Sequence, residues 1–178
     1  LSRTIAIRVL GVGDAGCNVV GHLAREPLAG VSFAGMNTNL RALAQTAIQT
    51  QLSLGARMMR GLGTGGDPER GRAAAEVDVA GIRGLCDGAD ILFLVAGLGG
   101  GTGTGAGPVV ARTAREQGAL VLAVGILPFE CEGQRRQRQA QIGLHELKKA
   151  ADVAICVPNQ NVFKLIDDST SLVEAFAL

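Results

Sequence analysis

The chain has 178 residues, 47% of them hydrophobic, enough for one α/β domain with a sizeable core. Its 17 basic and 16 acidic residues nearly cancel, which gives no electrostatic case for nucleic-acid or membrane binding. No apolar run approaches membrane-spanning length and no signal-peptide pattern opens the sequence.

In chain order, residues 4–10 are an apolar run that reads as a strand. It leads into Gly11-Val12-Gly13-Asp14-Ala15-Gly16-Cys17-Asn18, and a helical period over 17–25 follows, which Pro27 helps to end. A second strand at 31–36 meets Asn37-Thr38-Asn39, then a short helix over 40–45 and a strand near 48–54. Gly61-Leu62-Gly63-Thr64-Gly65-Gly66-Asp67 precedes Pro68 and Glu69, which open a helix to about residue 86. A strand at 89–95 runs into the densest Gly/Thr stretch of the chain, 96–105, with a helix over 107–117 behind it. Strands at 120–126 and 153–157 flank a helix over 134–150. Residues 171–178 read as two turns of a final helix, with Leu172, Val173, Ala175 and Phe176 on its apolar side. Such alternation predicts a three-layer αβα domain on a mainly parallel sheet, spanning 1–178 without a boundary. Ligands in such sheets bind beyond the carboxyl ends of the strands, where most of these motifs fall.

Gly99-Gly100-Gly101-Thr102-Gly103-Thr104-Gly105 has one strong physical use, the wrapping of backbone around phosphate oxygens. Amides at a helix start form an anion nest with the helix dipole behind it, and the threonine hydroxyls add donors. A flexible linker would instead carry serines and polar flanks. Gly11, Gly13 and Gly16 also satisfy the dinucleotide fingerprint, but Met36-Asn37-Thr38-Asn39 supplies no acid for a ribose. A Walker loop is excluded, because none of the lysines (Lys148, Lys149, Lys164) lies near a glycine loop. Cys17, Cys86, Cys131 and Cys156 form no CxxC pair and read as buried small hydrophobes in a reducing compartment. His22 and His145 read as core or surface residues within helical runs.

These stretches, in this order, resemble the tubulin/FtsZ family of GTPases, and its FtsZ branch far more than tubulin. The 99–105 loop resembles the family signature, and 11–18, 61–69 and 96–99 its other phosphate loops. Asn37-Thr38-Asn39, Pro128-Phe129-Glu130-Cys131-Glu132-Gly133-Gln134-Arg135-Arg136, Pro158-Asn159 and Ala175-Phe176 follow as further landmarks. The resemblance implies a tubulin/FtsZ-type nucleotide-binding domain holding GTP or GDP, with magnesium carried on the phosphates. It assigns nucleotide contact to Gly13, Asp14, Ala15, Gly16, Cys17, Asn18 and Asn37, and to Ala96, Gly97, Gly99, Gly101, Thr102, Gly103, Thr104 and Gly105. Pro128, Glu132 and Arg136 would lie on the sugar side, Asn159 at the guanine edge and Phe176 against the base. Read without it, Glu132 and Arg136 are a surface i,i+4 pair, Asn159 is a helix cap and Phe176 is core.

The resemblance further implies GTP-dependent filament assembly in cytokinesis, through self-association or FtsZ-type subunits, in the cytoplasm. No nucleic-acid partner, membrane insertion or protein-held metal is expected. The sequence departs from the family pattern at Asp14, Asn39, Leu127 and Cys131. A carboxylate at Asp14 is repulsive to polyphosphate unless it faces solvent or a magnesium-bound water. In the family the hydrolytic acidic loop lies beyond the residues matched here, so the resemblance assigns no catalytic residue to this chain. The expectation is a chain that alone neither hydrolyses GTP measurably nor builds long filaments. The rival reading is a nucleotide-independent module that regulates a full-length FtsZ-type partner.

Overall fold

The computed structural model describes residues 4–26 and 28–164. Six strands form one parallel sheet: β1 (Ile7–Val12), β2 (Val31–Asn37), β3 (Thr50–Ser53), β4 (Ile91–Gly97), β5 (Leu120–Leu127) and β6 (Val153–Pro158). Their order is β3-β2-β1-β4-β5-β6, so the chain runs outward from β1 to one edge, returns to the centre at β4, and runs outward again. Ile7 pairs with Val31 on one side and Ile91 on the other, and the register holds to Val12 against Met36 and Ala96.

Helices α1 (Gly13–Leu23), α2 (Leu40–Ala44), α3 (Ala56–Met59), α4 (Pro68–Val77), α5 (Val79–Cys86), α6 (Thr102–Glu116) and α7 (Gln134–Ala150) complete the described elements, with 3-10 turns at Glu130–Glu132 and Asn159–Lys164. The larger core lies between the sheet and α4 to α7, centred on Leu10, Leu92, Leu94, Val110, Val121 and Leu147. A smaller core on the opposite face joins Val9, Cys17, Val20, Leu43, Ile48 and Val95 beneath α1 and α2. The strands alternate between these layers, with Leu92 and Leu94 to one core and Val95 to the other. The three-layer expectation therefore holds.

Three boundaries differ from the sequence reading, each for a physical reason. Helix α1 begins at Gly13 and α6 at Thr102, each several residues before its periodic apolar run. The glycines that read as loop are first helical turns, and tertiary packing overrides their poor helix propensity. The single helix expected over 68–86 is two, because Asp78 leaves helical angles (φ −102°, ψ 23°). Its carboxylate accepts the Gly55 N–H at 2.5 Å, an exchange of one helical turn for a tertiary bond. Helix α3 gave no periodic signal over its four residues. The helix expected over 171–178 lies outside the described residues.

The four cysteines are unpaired, and they are not all buried: Cys17 and Cys86 are, Cys156 is half-buried and Cys131 is exposed. Burial pushes the Cys17 thiol up to about 12, with the nearby Asp14 carboxylate adding to the shift, and the Cys86 thiol up to about 11. Since the thiolate is the reactive form, a thiol-reactive dye is expected to label Cys131 first and to reach Cys17 and Cys86 only on unfolding. Mass-spectrometric mapping checks this; labelling of Cys17 in the folded protein as fast as Cys131 would contradict the packing described here.

Candidate functional site

The strand order reverses between β1 and β4, and a crevice opens at the carboxyl ends of strands at such a point. Here β1 passes directly into α1, and β4 passes through residues 98–101 into α6. The two helix N-termini abut: a Cβ built on Gly13 would lie 2.9 Å from the Gly103 amide nitrogen. Gly13 itself has φ +74°, a conformation that turns β1 sharply into α1 and that an L side chain resists. Unpaired first-turn amides and two macrodipoles thus face one cleft of about 300 Å³.

Gly13, Asp14 and Ala15 line the cleft from α1, and Gly97, Gly101, Thr102 and Gly103 from the β4–α6 connection. Asn37 closes it at the end of β2, Pro128 and Glu132 in the connection after β5, Arg136 in the first turn of α7, and Asn159 just after β6. These residues from five strand ends are brought together as expected. Gly16, Cys17, Asn18, Ala96, Gly99, Thr104 and Gly105 are not among the lining residues. Cys17 and Ala96 are fully buried in the two cores. A Cβ on Gly16 would meet the Val95 carbonyl at 2.3 Å, so its bare backbone serves the packing of α1 on β4. A Cβ on Gly105 would come within 1.9 Å of the Pro68 carbonyl, so this glycine serves the approach of α4 to α6. Phe176 lies outside the described residues.

Internal bonds use several of the polar groups that the sequence offered to a ligand. The Gly99 N–H donates to Thr104 Oγ1 at 2.9 Å, and the Thr102 and Thr38 hydroxyls bond each other at 2.6 Å, buried. The threonines therefore brace the turn more than they extend its donor set. Asn39 caps α2 by accepting the Ala42 N–H. Asn37, buried to 1% exposure, accepts the Asn39 N–H and donates Nδ2 to Asp14 Oδ1 at 2.6 Å. Glu132 accepts the Phe129 N–H at 2.8 Å through one oxygen and pairs with Arg136 through the other. The i,i+4 pair is thus formed, and it lies on the cleft.

The second glycine loop supplies a third wall, with Leu62, Gly63, Thr64, Gly65 and Gly66 on the cleft. The sequence marked this loop as a landmark but gave it no site residue. Gly63 donates to the Thr38 carbonyl, Arg70 reaches the Thr64 carbonyl, and Gln139 of α7 donates to the Gly66 and Gly100 carbonyls at 2.8 and 3.3 Å. Gln139 thus ties two glycine loops to a helix distant in sequence, and no local signal could have marked it. Among the described residues no group of three or more His, Cys, Asp or Glu side chains could hold a metal ion.

The chain matches the model of the tubulin/FtsZ family GTPase domain over residues 6–167. It is 42% identical over 177 residues to the cell division protein FtsZ of Buchnera aphidicola from Acyrthosiphon pisum, covering 99% of this chain and 46% of that protein. It is also 42% identical to FtsZ 2 of Rhizobium meliloti, covering 97% and 50%. Among solved structures, an empty FtsZ dimer from M. jannaschii superposes with a TM-score of 0.91 at 37% identity, over 98% of this chain and 50% of that one. CetZ2 of Haloferax volcanii, a GTPγS-bound protofilament, gives 0.86 at 29% identity, over 97% and 54%. The fold is thus the parallel α/β fold of the FtsZ and tubulin nucleotide-binding domain. The chain belongs to the tubulin/FtsZ family, and it spans about half the length of the curated relatives it matches.

Proposed function

We propose that the cleft binds a guanine nucleotide and that the chain is the nucleotide-binding part of an FtsZ-type protein that assembles with copies of itself in cell division. The observation that carries this reading is the meeting of the α1 and α6 N-termini at Gly13 and Gly103. Phosphate oxygens bind there to the backbone amides of residues 13–15 and 101–103. Glu132 and Arg136, locked to each other, face the sugar, and the Asn159 amide offers both a donor and an acceptor to the base edge. Related proteins carry GTPγS in a protofilament and GDP in a monomer, which supports the ligand class, and an FtsZ dimer supports self-association. A magnesium ion on the phosphates would neutralise their charge. A single carboxylate plus phosphate oxygens is a normal donor set for that ion, and Asp14 fits it.

The described residues offer little for hydrolysis. Among the described residues two carboxylates line the cleft: Glu132 is held on both oxygens by Phe129 and Arg136, and Asp14, bonded to Asn37 through Oδ1, would give its remaining lone pairs to the cation rather than to an attacking water. Titration calorimetry with GTP, GDP and ATP in magnesium, with phosphate release measured on the same samples, tests both halves. GTP and GDP are expected to bind at least about tenfold more tightly than ATP, the worth of one good hydrogen-bonded discrimination. Phosphate release is expected at the protein-free rate. No guanine binding at millimolar ligand would return the interaction-module reading, and turnover that rises with protein concentration would assign a hydrolytic group to these residues.

A further inference from the structure

The charge on the cleft wall does not match a polyphosphate. Among the described residues three charged ones line it: Asp14, Glu132 and Arg136. Glu132 and Arg136 cancel in their own ion pair, which leaves Asp14 as the uncompensated charge among these three. Among the described residues no lysine lines the cleft, and Arg70, whose guanidinium meets the second glycine loop, is held on the Thr64 carbonyl and Met59 Sδ. The anion cradle made by two helix N-termini therefore has a fixed negative charge at its rim.

The position of that charge is specified by the fold. Asn37 is buried, and the Asn39 N–H on its carbonyl oxygen fixes which way its amide faces, so its NH2 group points to Asp14. The bond occupies Asp14 Oδ1 and leaves the carboxylate on the cleft with oxygen lone pairs unspent. A carboxylate so held, beside amides that favour phosphate, repels a bare phosphate anion and favours one that brings a divalent cation. Magnesium bound by one carboxylate, phosphate oxygens and water has this composition.

We propose that Asp14 makes ligand binding in this cleft cation-linked: the chain takes the divalent-cation complex of its nucleotide, and Asp14 supplies the protein's own oxygen to that cation. The proposal rests on the nucleotide reading of the cleft and adds a selection rule to it. Asn37 acts through Asp14 and is a positioning residue.

The test is GDP and GTP titration of the 178-residue chain and of its Asp14→Asn and Asp14→Ala variants, each with magnesium and with excess chelator at low ionic strength. The wild type is expected to lose about tenfold or more in affinity on chelation. Asp14→Asn keeps the shape and an acceptor for Asn37, and is expected to bind metal-free nucleotide about tenfold more tightly than the wild type, with the metal effect shrinking to less than about threefold. The gain should fade as salt is raised. In a second readout, paramagnetic broadening by manganese in the GDP complex should weaken in both variants. Equal wild-type affinity with metal and with chelator overturns the proposal whatever the variants do, while leaving the nucleotide reading intact. Unchanged metal dependence in both variants overturns it likewise. Failure of every protein to bind either nucleotide removes the nucleotide reading and this proposal with it.

Discussion

Replacing Gly105 by alanine is expected to cost about 4 kcal/mol of stability or more, among the largest effects a single methyl group can have. The new Cβ would lie 1.9 Å from the Pro68 carbonyl oxygen and 2.6 Å from the Arg72 amide nitrogen. Both are backbone atoms of α4, so no side chain can swing aside. The two helices would have to separate, and the Ala74, Ala75, Ala106 and Val110 contacts of the main core would open with them. For a domain of this size such a loss lowers the melting temperature by roughly 10 °C or more. Gly84→Ala is the control, since its Cβ would meet nothing within 4 Å on an exposed face of α5. It is expected to stabilise by roughly 0.5–1 kcal/mol through helix propensity. A melting temperature for Gly105→Ala within a few degrees of the wild type would mean that α4 and α6 are not packed as described.

Gly13→Ala is expected to act on the ligand more than on the fold. The substitution places an L side chain at φ +74°, a strain of roughly 1–2 kcal/mol. It also inserts a Cβ at 2.9 Å from the Gly103 nitrogen and 3.3 Å from its Cα. The two helix N-termini must part at the point where the phosphates are proposed to sit. Affinity for GDP is expected to fall about a hundredfold, equivalent to roughly 2.7 kcal/mol. Calorimetric titration beside a denaturant melt separates the two effects. A folded variant that binds GDP as well as the wild type would move the phosphates away from this junction.

The inner strands were legible because each is a short apolar run with turn residues at its ends, and parallel burial on both faces needs no more signal than that. The edge strand β3, Thr50-Gln51-Leu52-Ser53 with its first two residues exposed, was marked only by the apolar Ile48 and Leu54 that flank it. The helix starts at the cleft were not. Gly13 to Gly16 and Thr102 to Gly107 carry the composition of coil, and only the close approach of α1 to β4 and of α6 to α4 explains helix there. The same contacts explain why Gly16 and Gly105, read as ligand-binding, also have to lack a side chain for packing. The lining of the cleft was legible at Gly13, Asp14, Ala15, Asn37, Gly101, Thr102, Gly103, Glu132, Arg136 and Asn159, each in a connection that follows a strand or in the first turn of the helix after it. Gln139 and the Asn37–Asp14 bond were not, because they depend on which atoms meet across long stretches of chain. Residues 61–66 lay between the two cases: their glycines marked a turn, but their facing on the cleft follows from bonds to Thr38 and Gln139.

The reversal in strand order also has a kinetic consequence. Strands β1 to β3 pair among themselves early in the chain, and β4 must then add beside β1, with Ile91 returning to Ile7. That closure spans more of the chain than any other strand pairing, and long loops close slowly. On a ribosome, Gly13 would emerge long before Gly103 exists to meet it. The cleft is therefore born at the slowest step of assembly, and a refolding chain should acquire the proposed nucleotide affinity together with its last cooperative phase rather than ahead of it.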